Sequence, residues 1–169
     1  MHIGLVSIAL LIGQIGEQPA TEDPADAVSA VVANLYDVIS GPAGEERDWD
    51  RFRELFAEDA RLASVRKRDG VWAPGGVTPE GYIEASGEWL ETNGFFEVPL
   101  YNEIDVYGGI AQVFSSYEAR SEEDGPIIAR GINSIQLVRI GDDWKLLSVI
   151  WSSEDNAGPI PARYLPPVE

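Results

Sequence analysis

The chain has no cysteine among its 169 residues, and its single histidine is His2. Without cysteine there is no disulfide, no thiolate nucleophile and no cysteine-based metal site, and the redox state of the compartment leaves no mark. His2 precedes an N-terminal apolar segment, so once such a leader is removed the chain carries no imidazole. That excludes imidazole base catalysis, Ser-His dyads and almost every tight zinc site. Lysine is nearly absent as well, with Lys67 and Lys145 the two present. Any acid or base work falls to Asp, Glu, Tyr or those lysines, and neither a metal nor a cofactor is expected. Positive charge is scarce: 12 Lys plus Arg stand against 29 Asp plus Glu, a net charge of −17. Such a surface repels phosphate backbones and anionic headgroups, so nucleic acid is excluded as a partner.

Long apolar runs are also missing. The stretch from Ile3 to Ile15 is too short and too glycine-rich to span a bilayer, and it has the size of a signal-peptide core. Residues 1–20 are therefore expected to be a leader, with a mature chain that is secreted or periplasmic and has no membrane span. A cytoplasmic location is the alternative. With 44% hydrophobic residues and acids scattered among aromatics, the remainder reads as one folded domain over 21–157. A proline-rich tail over 158–169 is expected to lie extended on the surface.

Within the domain the hydrophobic period changes once. Asp23-Pro24 is a helix start, followed by a stripe of Val28, Val31, Val32, Leu35, Val38 and Ile39 that Gly41-Pro42 stops. Asp48 opens a short second helix, with Trp49, Phe52, Leu55 and Phe56 on one face. Residues 60–66 read as a short strand, and the basic segment RKRDGVWAPGG as a loop in which Trp72 is a plug over the core or a pocket lid. Thr78-Pro79-Glu80 opens a third helix, turning Tyr82, Ile83, Ser86, Trp89 and Leu90 inward up to Asn93-Gly94. Four strands follow, over 95–107, 110–121, 129–140 and 144–153, joined by hairpin-sized turns. An α+β fold is predicted: a cone-shaped, curved antiparallel sheet packed against three N-terminal helices.

The element order and the local text, DWDRFRELFAEDARL and GDDWKLLSVIWSSE, resemble the nuclear transport factor 2-like superfamily, also called SnoaL-like, ketosteroid isomerase-like or cystatin-like. The segments FFEVPLYNEIDVYGGIAQVFSSYEAR, ARGINSIQLVRIGDDWKL and PIPARYLP resemble an exported bacterial subgroup. The resemblance implies a pocket inside the cone but no particular reaction, since this fold hosts unrelated chemistries. Carried over residue by residue, the isomerase base falls at about Ser64, which is no base, and its helical Tyr near Asn34, with Tyr36 offset. The histidines of scytalone dehydratase are absent. Glu118, Arg120 and Arg130 are reminiscent of the Asp-Arg-Asp set of limonene epoxide hydrolase, without its spacing.

Alternation places Val113, Ser115, Tyr117 and Ala119 on one sheet face with Gly131, Asn133, Ile135 and Leu137. This smaller, more apolar face is assigned to the helix side. Tyr36, Tyr82, Trp89, Tyr101, Tyr117, Asn133 and Trp151 are the candidate pocket residues. A Tyr117–Asn133 pair could orient a ligand or simply be a satisfied core hydrogen bond. Glu118 and Arg130 form a possible polar pair, outside the cone on this assignment and inside it on the reverse one. Glu154, beside Trp151, reads as rim. Three functions follow as expectations: binding of a small, largely apolar molecule; a SnoaL-like isomerase, cyclase or hydrolase using a carboxylate and a tyrosine; or a module that homodimerises through the sheet face.

Overall fold

A computed structural model describes residues 23–167, so the expected leader lies outside the described residues. The elements run α1 (Pro24–Ile39), α2 (Trp49–Glu54), β1 (Phe56–Arg68), β2 (Val71–Val77), α3 (Pro79–Asn93), β3 (Phe96–Tyr107), β4 (Ile110–Arg120), β5 (Ile127–Ile140), β6 (Asp143–Ser153) and a short α4 (Glu154–Ala157). All three long-range helix starts are capped as the sequence predicts. Asp23 accepts from the Ala25 amide at 3.0 Å, Asp48 from Arg51 at 2.9 Å and Thr78 from Gly81 at 3.1 Å. The α1 stripe is buried as Val28, Val32, Leu35, Tyr36, Val38 and Ile39, against the inner sheet residues Val113, Ile135, Leu137, Leu146 and Val149. No described helix is long and apolar enough to cross a membrane.

The sheet is open, in the order β2-β1-β6-β5-β4-β3. Two expectations are corrected here. The sheet is mixed, because β1 runs parallel to β6 while every other pair is antiparallel. Hairpin turns govern only neighbours in sequence, and β1 meets β6 across the whole meander. The basic loop is also a strand. Asp69 and Gly70, both with positive φ (50° and 80°), make a two-residue turn that folds β2 back on β1, pairing Arg68 with Val71 and Lys67 with Trp72. Pro74 is tolerated because β2 is an edge strand. Trp72, 47% exposed at the hairpin tip under the Lys67 ammonium, neither plugs the core nor closes the pocket.

After α4 the tail crosses the outer face of the sheet. Ile160 is buried, the Tyr164 ring rests 4.8 Å from Phe114, and Ser116 donates to the Tyr164 carbonyl at 2.5 Å.

Helices and sheet are locked together by Arg47, a charged side chain only 6% exposed. Its guanidinium donates to the carbonyls of Ile39 (3.2 Å), Gly41 (2.6 Å), Pro42 (3.4 Å), Glu45 (2.6 Å) and Leu90 (3.1 Å). These include carbonyls at the C-terminal ends of α1 and α3, which lack partners of their own. Replacing Arg47 with Met, of similar length but without donors, is expected to cost about 3 kcal/mol of unfolding free energy in urea titrations. A loss below about 1 kcal/mol would show that these carbonyls need no side-chain donor.

Candidate functional site

Between the helices and the inner sheet face lies an open cavity of about 320 Å³. Its floor is apolar, formed by Leu35, Ile39, Phe52, Leu62, Val149 and Trp151. Phe52 stacks on Tyr82 at 5.5 Å, and Tyr82 meets Trp151 edge-on at 6.4 Å, so this wall is a continuous aromatic surface.

Six of the seven candidate pocket residues meet here: Tyr36 from α1, Tyr82 and Trp89 from α3, Tyr117 from β4, Asn133 from β5 and Trp151 from β6. Trp89 is 51% exposed and stands at the margin. Tyr101 is the exception. A bulge between Pro99 and Tyr101 inserts one residue into β3, so Tyr101 pairs with Ser116 and shares its outer face instead of that of Glu97 and Pro99. Glu118 and Arg130 are register partners on the outer face, yet they do not pair with each other. Glu118 accepts from Arg120, while Arg130 lies 3.8 Å from Glu154. Ser64 lines the cavity and offers no base; Asn34 is exposed and bonded to Arg51.

Sequence reasoning missed the central group, Glu97. It pairs with Ala119 on the inner face of β3, and the part of its surface left accessible lines the cavity. Its carboxylate Oε1 accepts from Asn133 Nδ2 at 3.0 Å. The same amide donates its other hydrogen to the Tyr36 hydroxyl at 3.0 Å, and Tyr36 in turn lies 2.6 Å from Ser115 Oγ. Since Tyr36 accepts from Asn133, its own proton is free to go to Ser115. The order of this chain, Ser115, Tyr36, Asn133, Glu97, follows from the register Ser115 opposite Asn133 and from the burial of Tyr36 of α1 against the inner sheet face.

Burial pushes the Glu97 carboxyl from its ordinary 4.5 up to about 7, against the smaller opposing effect of the Asn133 hydrogen bond. Burial also raises Tyr36, Tyr82 and Tyr117, and the Glu97 charge raises each of them further. All three phenols thus stay protonated at neutral pH and can only donate or accept hydrogen bonds. Tyr117 owes its place to Gly131, its register partner: a Cβ there would sit 2.8 Å from the Tyr117 hydroxyl and 2.4 Å from the Ser152 carbonyl. Neither the Tyr82 nor the Tyr117 hydroxyl is hydrogen-bonded to another group among the described residues, so both are open to a ligand. At the mouth stand two exposed charges, Arg66 and Asp155. No cluster of three potential ligands for a metal exists among the described residues.

The arrangement therefore offers one titratable carboxyl in an apolar chamber, three neutral phenols and a fixed amide. A signal for Glu97 was present, since simple alternation puts it on the same face as the inward-read Tyr101; the bulge reverses Tyr101 and leaves Glu97 inward.

No family model matches the chain, and no curated protein matches it. Solved structures do. A Nostoc punctiforme protein of unknown function with a cystatin-like fold superposes with TM-score 0.58 at 16% identity, over 75% of this chain and 88% of that one. A nuclear transport factor 2-like protein of unknown function from Shewanella baltica gives TM-score 0.51 at 18% identity, over 76% and 91%. A Shewanella frigidimarina protein provisionally assigned as a ketosteroid isomerase gives TM-score 0.52 at 18%, over 75% and 94%. The chain has the nuclear transport factor 2-like, cystatin-like fold.

A carboxyl whose folded pKa is raised favours the native state below its unfolded pKa and loses that contribution as pH rises through the folded one. Between pH 4.5 and about 7 Glu97 should therefore steepen the fall in stability. Glu97→Gln is expected to flatten that segment of the curve and to be the more stable protein at pH 8, by on the order of 2 kcal/mol. Chemical denaturation of both proteins across pH 4 to 8 measures the difference, and parallel curves would place the carboxyl in an ordinary solvated setting. The groups facing it are Tyr36, Asn133, Tyr82 and Tyr117, none of which changes charge in that range.

Proposed function

We propose that the protein binds a small, largely apolar molecule in this cavity and moves a proton on it, with Glu97 as the acid–base group. One observation carries the reading: the carboxyl lining the aromatic chamber is held near neutrality by burial and tethered by a single neutral donor. A base poised near the working pH is what proton transfer requires. Tyr117 and Tyr82 supply neutral hydroxyls to steady a ligand oxygen as charge builds on it. The provisional isomerase assignment of the Shewanella frigidimarina relative points the same way, since such enzymes pair a carboxyl base with a phenolic donor. In this chain the base comes from β3 and not from the position of Ser64 on β1.

Asn133 acts in this proposal as a positioning residue, holding Glu97 against Tyr36. Homodimerisation through the sheet has less support, because the tail covers part of the outer face, although Val98, Tyr107, Ile110, Ile140 and Ile150 stay exposed on it. Secretion of the mature chain stays a proposal that N-terminal sequencing of the exported protein would decide.

A panel of alicyclic and aromatic ketones should raise the melting temperature, and NMR in deuterated water should show exchange of the hydrogens next to the carbonyl. Glu97→Gln is expected to slow that exchange by about 100-fold or more while retaining ligand binding. The wild-type rate should rise with pH through about 7 as the carboxyl ionises. Asn133→Leu, which removes the one donor opposing the shift, should move that midpoint upward. Unchanged exchange in Glu97→Gln would leave a binding protein without chemistry, and a panel with no melting shift would remove the ligand itself.

A further inference from the structure

Seven of the twelve Lys and Arg side chains have an oxygen partner among the described residues. Arg51 pairs with Asp37 at 2.7 Å, Arg53 with Glu80 at 2.8 Å and Arg139 with Asp142 at 3.4 Å. Arg120 holds Glu118, Arg130 faces Glu154, Arg47 is sealed among carbonyls, and Lys145 donates to the Glu54 carbonyl at 2.7 Å. Arg61, Arg66 and Arg68 of β1 make no ion pair or side-chain hydrogen bond among the described residues, and of these three Arg66 alone lines the cavity. In a chain with 29 acidic residues against 12 basic ones, an unengaged arginine at the margin of an apolar chamber has no shortage of carboxylates to pair with. The nearest charged residue on the same margin, Asp155, is not within ion-pair distance of it.

We propose that Arg66 receives an oxyanion borne by the cavity's ligand, so that the molecule is a small amphiphile with one negative end at the mouth and an uncharged apolar body beneath. The inference rests on the ligand reading above and names its substrate class. A planar guanidinium presents paired donors that match a carboxylate, a geometry that a lysine would not reproduce. β1 aims the side chain: Arg66 is two residues from Ser64 on the inner face, and both line the cavity. The floor imposes the orientation. Glu97, once ionised, repels an anionic group placed beside it, while the aromatic wall of Phe52, Tyr82 and Trp151 accepts the apolar body. Tyr117 lines the same cavity, close enough to feel the charges of Glu97, Arg66 and Asp155. A ligand bound this way has its negative end anchored and its middle presented to the carboxyl and the phenol.

The test uses matched naphthylacetates and cyclohexylacetates with their methyl esters, titrated against the full chain by calorimetry. Wild-type protein should bind each acid about fivefold or more tightly than its ester at pH 6. Arg66→Gln should erase that preference without weakening the esters, and Arg66→Lys should restore part of it. Arg66 is exposed, so an unchanged melting temperature in Arg66→Gln serves as the folding control. Equal affinity for acids and esters in the wild type, or equal weakening of both by Arg66→Gln, overturns the anion site while leaving the cavity's ligand role intact. Failure of all the probes to bind overturns the ligand reading and this inference together.

Discussion

A guanidinium withdrawn from water must find a donor-acceptor match for each of its hydrogens, and in this protein Arg47 finds five carbonyls at one junction. The constraint reaches well beyond Arg47. With the end of α1 held there, Gly41 and Phe95 exchange backbone hydrogen bonds at 2.7 and 3.0 Å, which sets where β3 starts. Ser40 then donates to the Tyr36 carbonyl at 2.7 Å and accepts from the Glu97 amide at 3.0 Å. The helix that carries Tyr36 and the strand that carries Glu97 are thereby fixed against one another. Glu91 reinforces the junction, its Oε1 accepting from the Arg47 amide at 3.2 Å and from Trp49 Nε1 at 2.7 Å.

Everything distinctive about the cavity follows from placing a carboxyl in the space so defined. Burial penalises its charged form, and Asn133 compensates only in part, being a neutral donor that gives one hydrogen to Glu97 and the other to Tyr36. Among the described residues no cation pairs with it to restore an ordinary acidity, Arg66 on the same cavity included. The carboxyl therefore stays responsive near neutral pH. A design for stability alone would have used an apolar side chain at this position, and retention of a costly group in a ligand-sized cavity is characteristic of sites where chemistry or recognition occurs.

The elements with strong periodicity were legible. The α1 stripe, the Asp and Thr caps and the four-strand meander depend on local spacing, and tertiary packing agreed with them. Six aromatic and amide residues of the cavity were legible too, because alternation along β4 and β5 correctly separates Tyr117 and Asn133 from Glu118 and Arg130. The β1–β2 hairpin was legible in principle from Asp69-Gly70, but Pro74, Gly75 and Gly76 gave its second strand the composition of a loop. Tyr101 failed for one reason, while Glu97, which simple alternation puts on the same face as an inward Tyr101, was not singled out. A single inserted residue near Pro99 reverses the facing of the strand, and alternation has no local mark for it.

Sequence by itself determined the chemical vocabulary: without cysteine, and with its one histidine at position 2, residues 23–167 can do acid–base work only through carboxyls, phenols and two lysines. It also determined the class of fold, since hydrophobic period and capping are properties of neighbouring residues. Tertiary structure alone decided which carboxyl among 29 acidic residues became buried and perturbed. That depended on contacts between residues 36, 97, 115 and 133, far apart in the chain, and on a bulge that left Glu97 inward and turned Tyr101 outward. The strength of a charge's coupling to its surroundings is set by distance and solvent exclusion, and neither exists until the chain has closed on itself.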